Sequence, residues 1–244
     1  MNSDFYLTGP LETSRETLTV IIPAHNEAES LTGTVEDIIT YEPKSFDCEV
    51  IIVNDGSTDS TATVMHSLVG RFPHQVRGIN HDSQRGMGGS LATGFQTASG
   101  QVLTWLPADG EYQFAEVVAN FDRLNEEDII LFRRTSRGQL HRGLISAAMH
   151  GLIRGLFRAD LRDYSGIFLI NARKWNEVRP ATTSTLYAVE VALAAYTHRY
   201  RVGWATATWI PRRSGTSSVF RLRVVISSLL ELLLLRMRMS SRQS

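Results

Sequence analysis

Four times in its first half the chain repeats one arrangement: a short β-branched and apolar run, a polar cluster directly after it, then apolar positions at helical spacing. The runs are Thr17 to Ile22, Glu49 to Val53, Val76 to Asn80 and Val102 to Leu106. Near-continuous apolar runs of this length suit strands buried on both faces, which occur where helices cover both sides of a parallel sheet. The alternation therefore predicts an α/β fold, Rossmann-like, with a mostly parallel sheet and helices on both faces. In open sheets of this kind ligands bind outside the carboxyl ends of the strands. The polar clusters Pro23 to Glu27, Asn54 to Asp59, Arg85 to Gly89 and Pro107 to Glu111 each follow a strand, so the fold would gather them on one rim.

The fourth cluster carries two carboxylates, Asp109 and Glu111, one residue apart. In an extended loop alternate side chains share a side, and two hard oxygen ligands suit Mg²⁺ or Mn²⁺ when substrate phosphates complete the shell. Asp55, at a strand's end, is placed to accept N–H groups from the imide edge of uracil or the amidine edge of guanine. Asp59 lies where a helix N-cap is wanted, and Asn26 either caps a helix or touches ligand. Glycines after Arg85 permit close backbone approach to a ligand or form only a turn.

With 244 residues the chain can bury a substantial core in one α/β domain, expected over 17–218. Residues 1–16 are polar and without period, a loose lead-in. Residues 219–244 form an apolar segment with basic ends, expected to be helical. Its twelve residues Val224 to Leu235 are too short to span a bilayer, which takes about 20. An interfacial helix with Arg223 and Arg236 snorkelling fits, and so does a core or dimer helix. Basic and acidic residues number 25 each, so no global field marks nucleic acid as a partner. From Arg133 onward, however, the chain is rich in arginine and poor in acids, as suits an anionic ligand. The single cysteine, Cys48, excludes an internal disulfide and reads as a small core residue. No basic stretch leading into an apolar one opens the chain, which predicts a cytoplasmic location.

"LTVIIPAHNE" from Leu18, "EVIIVNDGSTD" from Glu49, the glycine-rich segment after Gln84, "LPADGEY" from Leu106 and "RRSGTS" from Arg212 together resemble the family 2 glycosyltransferases. Within that family the chain is most similar to the polyprenyl- or dolichol-phosphate mannose or glucose synthases. The resemblance implies a GT-A fold, a GDP- or UDP-hexose donor, and a polyprenyl phosphate or saccharide acceptor at the inner membrane face. It implies donor contacts from Pro23, Ala24, Asn26, Glu27, Val53, Asp55, Arg85, Gly86, Pro107 and Ala108. Asp109 and Glu111 would hold Mg²⁺ or Mn²⁺, although Pro107 stands where the family's Asp-x-Asp motif has its first aspartate. Asp109, Arg133, Glu190 and Arg212 would carry catalysis. Transfer to a hydroxyl needs a carboxylate base, for which Asp163 and Glu190 are the candidates, whereas a phosphate acceptor is already anionic. Arg133, Arg142 and Arg212 would hold phosphates. The alternatives are a soluble transferase acting on a saccharide hydroxyl and a nucleotide-sugar-binding protein without catalysis.

Overall fold

The computed structural model describes residues 5–6, 16–41, 46–135, 151–161, 164–180, 183, 186–208, 210 and 230–237. The strands are β1 (Phe5–Tyr6), β2 (Glu16–Ala24), β3 (Phe46–Asp55), β4 (Val76–His81), β5 (Val102–Trp105), β6 (Ile129–Thr135), β7 (Tyr164–Asn171) and β8 (Val202–Thr208). The helices are α1 (Leu31–Ile39), α2 (Thr61–Arg71), α3 (Gly86–Thr97), α4 (Phe114–Val118), α5 (151–157), α6 (Ala172–Val178), α7 (Tyr187–Thr197) and α8 (230–237), with a 3₁₀ turn over Phe121–Asn125. The strands form one sheet in the order β1-β4-β3-β2-β5-β7-β6-β8. Strands β4, β3, β2 and β5 are mutually parallel, as the four apolar runs predict.

Helices cover both faces, and two glycines show how. Ile21, Ile51 and Arg77 are in register and share one face, while Ile52 and Gly78 share the other. Gly94 of α3 lies against Ile21, so α3 packs on the first face, and Met65 of α2 packs over Gly78 on the second. A side chain at Gly94 would run into the Ile21 methyl groups, so the helix lies this close only because the position is glycine.

β7 runs antiparallel between β5 and β6, a mixed side of a mostly parallel sheet. Two features depart from expectation. The helical spacing that follows the fourth polar cluster, over Phe114 to Leu124, does not make one helix but is broken into α4 and the 3₁₀ turn. The lead-in is not wholly loose, since Phe5–Tyr6 pairs with β4. Of the C-terminal segment the structure describes α8, whose Leu232 and Leu235 are buried; the rest lies outside the described residues. Cys48 is a core residue, and its thiol is pushed up to about 12 by burial, with Asp47 adding to the rise.

At the end of the sheet away from the rim, Glu49 is buried and accepts four hydrogen bonds. They come from Thr19 Oγ1 (2.6 Å), Arg77 Nη1 (2.6 Å), Ser99 N (3.0 Å) and Ser99 Oγ (2.9 Å). Arg77 also donates to the Thr97 carbonyl, and Gly100 N to Thr19 Oγ1. This network joins β2, β3 and β4 to the chain entering β5.

Candidate active site

β2, β3, β4 and β5 all end on the same edge of the sheet, so the polar clusters converge there as the motif order predicts. The Asp55 carboxylate is almost wholly buried. Its Oδ1 accepts from His81 Nδ1 (2.7 Å) and from Arg85 N (2.9 Å), and its Oδ2 accepts from Gly86 N (2.8 Å). Asp55 thus anchors the glycine-rich bend, bringing Arg85 and Gly86 to the end of β3. Gly56 follows at φ +62°, where a Cβ would meet the backbone of Ser83 and Gln84 at 2.7 and 2.6 Å. Gly56→Ala is therefore expected to displace the 83–86 bend and cost about 1–3 kcal/mol through a left-handed φ together with a backbone clash. Thermal unfolding together with nucleotide titration checks this, and an unchanged melting temperature with unchanged affinity would refute it.

The first cluster locks onto the second. Asn26, at φ 56°, accepts from Thr58 N (2.8 Å) through Oδ1, while its own N–H donates to Ser57 Oγ (3.0 Å). It thus caps the loop before α2, not the helix that follows it in sequence. Asp59 is not the N-cap of α2, which is Ser60, but stands one residue before it and accepts from Thr61 N and from Ala28 N. Burial raises the Asp59 carboxyl, but the hydrogen bonds from Thr61 and Ala28 outweigh it and hold the group below the usual carboxylate range. Glu27 bonds the Ser30 hydroxyl, and its N–H donates to Thr61 Oγ1. Pro23 and Ala24 are buried, and Val53 has no exposed surface, so its side chain belongs to the core and cannot touch a ligand.

The β5 loop is a turn, not the extended segment expected. Gly110 takes φ 70° and Glu111 N donates to Asp109 Oδ1 (3.0 Å). Asp109 and Glu111 are 4 % and 8 % exposed, so the turn itself holds both carboxylates at the strand end. Thr34 Oγ1 donates to the Ala108 carbonyl, fixing the loop to α1 beside half-buried Pro107. Arg134 lies across it: Nη2 is 3.6 Å from Glu111 Oε2, and Nε donates to Tyr112 Oη at 2.9 Å. Burial raises the Tyr112 hydroxyl, with Arg134 pulling the other way and Glu111 and Asp109 adding to the rise, so Tyr112 stays a neutral phenol at pH 7. The end of β8 is tied to α4 by Thr208 N to Glu116 Oε2 (2.6 Å), and the chain leaving it to this loop by Ile210 N to the Glu111 carbonyl (2.9 Å).

Arg134 was not among the residues singled out, whereas its neighbour Arg133 was. Adjacent strand residues face opposite ways, and the structure turns Arg134 toward Glu111 while Arg133 stacks over Trp204, 4.3 Å from the ring centroid. Arg133 is thus not brought to the carboxylates. Glu190 is buried in the first turn of α7, whose Ala188 packs against Gly166 next to Trp105 at the end of β5. Arg137, Arg142, Asp163 and Arg212, with the Arg212 to Ser217 motif, lie outside the described residues.

Among the described residues no three His, Cys, Asp or Glu side chains gather as a complete metal cage. Asp109 and Glu111 fit a hard divalent cation as a partial donor set, leaving the remaining positions to ligand oxygens. The rim of the α/β sheet thus carries a carboxylate-anchored glycine bend after β3 and paired carboxylates beside an arginine after β5. Residues 19–174 match the model of glycosyl transferase family 2, and the chain belongs to that family. It is 27 % identical over 128 residues to dolichyl-phosphate beta-glucosyltransferase ALG5C of Trichomonas vaginalis, covering 48 % of this chain and 38 % of that protein. It is 26 % identical over 209 residues to glycosyltransferase AglD of Haloferax volcanii, covering 80 % and 33 %. The chain therefore spans only 38 % and 33 % of the length of these relatives. The fold is shared with glucosyl-3-phosphoglycerate synthase of Mycobacterium tuberculosis, solved with Mn²⁺, UDP and glucosyl-3-phosphoglycerate. The TM-score is 0.65 at 17 % identity, over 91 % of this chain and 80 % of that one.

Proposed function

We propose that the chain transfers a hexosyl group, with inversion, from a nucleotide-diphospho-sugar to a polyprenyl phosphate, with Mg²⁺ or Mn²⁺ at Asp109 and Glu111. The observation that carries this is the order of groups along the rim, with buried Asp55 holding the glycine bend after β3, Asp109 and Glu111 in the turn after β5, and Arg134 beside Glu111, in a chain similar to a dolichyl-phosphate glucosyltransferase. Bound there, the divalent cation would neutralise the charge that grows on the leaving diphosphate. Arg134 lies where a guanidinium can grip a phosphate, and its bond to Tyr112 holds it in place. A phosphate acceptor is already anionic and needs no general base.

Transfer to a saccharide hydroxyl is the second reading, and buried Glu190 favours it, since a carboxylate in the first turn of α7 could take a hydroxyl proton. Incubation with radiolabelled UDP- and GDP-hexoses, given dolichyl phosphate or soluble saccharides with and without Mn²⁺, separates the two. Metal-dependent label in the lipid fraction is expected; label confined to saccharide would overturn the lipid acceptor in favour of the second reading.

A lipid acceptor requires docking at a bilayer surface. Among the described residues no helix is long and apolar enough to cross a membrane. On α8, however, Leu230, Leu233, Leu234 and Met237 are exposed at 58, 48, 45 and 62 %, while Leu232 and Leu235 are buried. The exposed residues fall at i, i+3, i+4 and i+7, one helical stripe facing outward. Arg221, Arg223, Arg236 and Arg238 in the surrounding sequence would add attraction to anionic lipid, about 1 kcal/mol each near the surface. Removing the segment would also uncover the core beneath Leu232, so the outer stripe is the better target. Leu233→Glu with Leu234→Glu is expected to abolish co-sedimentation with anionic vesicles while leaving the melting temperature within a few degrees. Vesicle binding at the parent level would end the interfacial role.

A further inference from the structure

We propose that His81 is a positioning residue that limits the Asp55 carboxylate to one more hydrogen bond, so that the site takes a base presenting a single N–H, uracil, in preference to guanine. This rests on the proposed role of Asp55 as the group that meets the base.

An ionised carboxylate offers about four acceptor positions, two on each oxygen. Oδ1 of Asp55 has both of its positions filled, by His81 Nδ1 and Arg85 N, and Oδ2 has one filled, by Gly86 N. One position, on Oδ2, remains. The histidine is held in this role from both sides. His81 ends β4 in register with Asp55, which sets the two side chains beside each other, and its Nε2 meets Thr93 Oγ1 of α3 at 2.9 Å. A carboxylate cannot donate, so Nδ1 carries the proton and points it at Oδ1. The His81 side chain is 2 % exposed, so water does not replace it as the donor to Oδ1.

The two bases differ in what they ask of such a group. Uracil presents one N–H between two carbonyl oxygens, which the vacant Oδ2 position can accept. Guanine presents an N–H and an amino group side by side, a pair that needs one free position on each oxygen. With Oδ1 full, one guanine donor would be buried without an acceptor, a penalty of about tenfold or more in affinity. Nothing in the strand pattern of "VRGINH" announces this, because the constraint lies in the count of donors that the end of β4 and the bend after it deliver to one carboxylate of β3.

Calorimetric titration of the full chain with UDP and with GDP tests the inference. The parent is expected to bind UDP about tenfold or more tightly than GDP. In His81→Leu, which frees a position on Oδ1, that ratio should collapse, and in His81→Asn, whose amide N–H replaces Nδ1–H, it should persist. A merely structural histidine would weaken both nucleotides together and leave the ratio alone. Parent protein that binds GDP as well as UDP, or His81→Leu that keeps the parent ratio, overturns the role of His81 while leaving Asp55 in place. Asp55→Ala that lowers neither affinity removes the base-reading role of Asp55 itself, a distinct failure. Should His81→Leu not fold, His81→Ala, which also removes the donor to Oδ1, is read in its place, with the same collapse of the ratio expected and a parent ratio overturning the role.

Discussion

Replacing Asp109 with alanine is expected to slow sugar transfer about a hundredfold or more, equivalent to roughly 3 kcal/mol of barrier, with the sheet intact. Two effects would add. The variant loses a buried negative charge at the end of β5, where the divalent cation would sit, and it loses the acceptor that holds Glu111 N in the turn. Asp109→Asn separates them. Asparagine keeps an oxygen for Glu111 N but carries no charge, so it should restore the turn and the melting temperature without restoring turnover. Rates measured against Mn²⁺ concentration for the parent and both variants provide the check. Parent-level transfer by the asparagine variant would end the metal-ligand role of this residue.

The largest expected loss of stability comes from Glu49→Ala, far from the rim. Glu49 uses its full acceptor capacity on Thr19, Arg77 and two groups of Ser99. Truncation leaves the Arg77 guanidinium, whose side chain is 19 % exposed, with only the Thr97 carbonyl, beside the buried Thr19 hydroxyl stripped of its acceptor. Breaking a buried pair from one side costs about 3–5 kcal/mol, mostly because the abandoned charge stays desolvated. Against a total stability of about 5–15 kcal/mol, this would bring the domain close to unfolding at 37 °C. Glu49→Gln should fall between, since one oxygen remains while an amide N–H faces donors. Urea unfolding with the slope held in view measures both. A loss below about 1 kcal/mol for the alanine variant would show that the network contributes specificity rather than stability.

The parts of this protein legible in its residues are those whose physics is local. β-Branched runs stopped by proline or by polar clusters mark β2 to β5, because burial on both faces of a sheet demands apolar side chains at every position. The same locality exposes the rim, since each polar cluster sits within a few residues of its strand. Family membership rests on those clusters as well. The antiparallel course of β7 was hidden, because strand pairing is made by backbone groups that every residue shares. The choice between Arg133 and Arg134 was half visible: alternation says that the two diverge, but which face holds the carboxylates depends on how β6 meets the loop after β5.

The residues alone determined the α/β class, the order of the strands along the chain and the set of carboxylates, glycines and arginines from which a site could be built. Only the tertiary structure decided which of them meet. It made Asn26 a cap for another loop and placed Arg134 beside Glu111. It also brought His81 to Asp55 and closed the bonds of Glu49 across segments up to 50 residues apart. The reason is that a charge or a hydrogen bond acts over a few ångströms, and the fold sets those distances by packing side chains that are far apart in sequence.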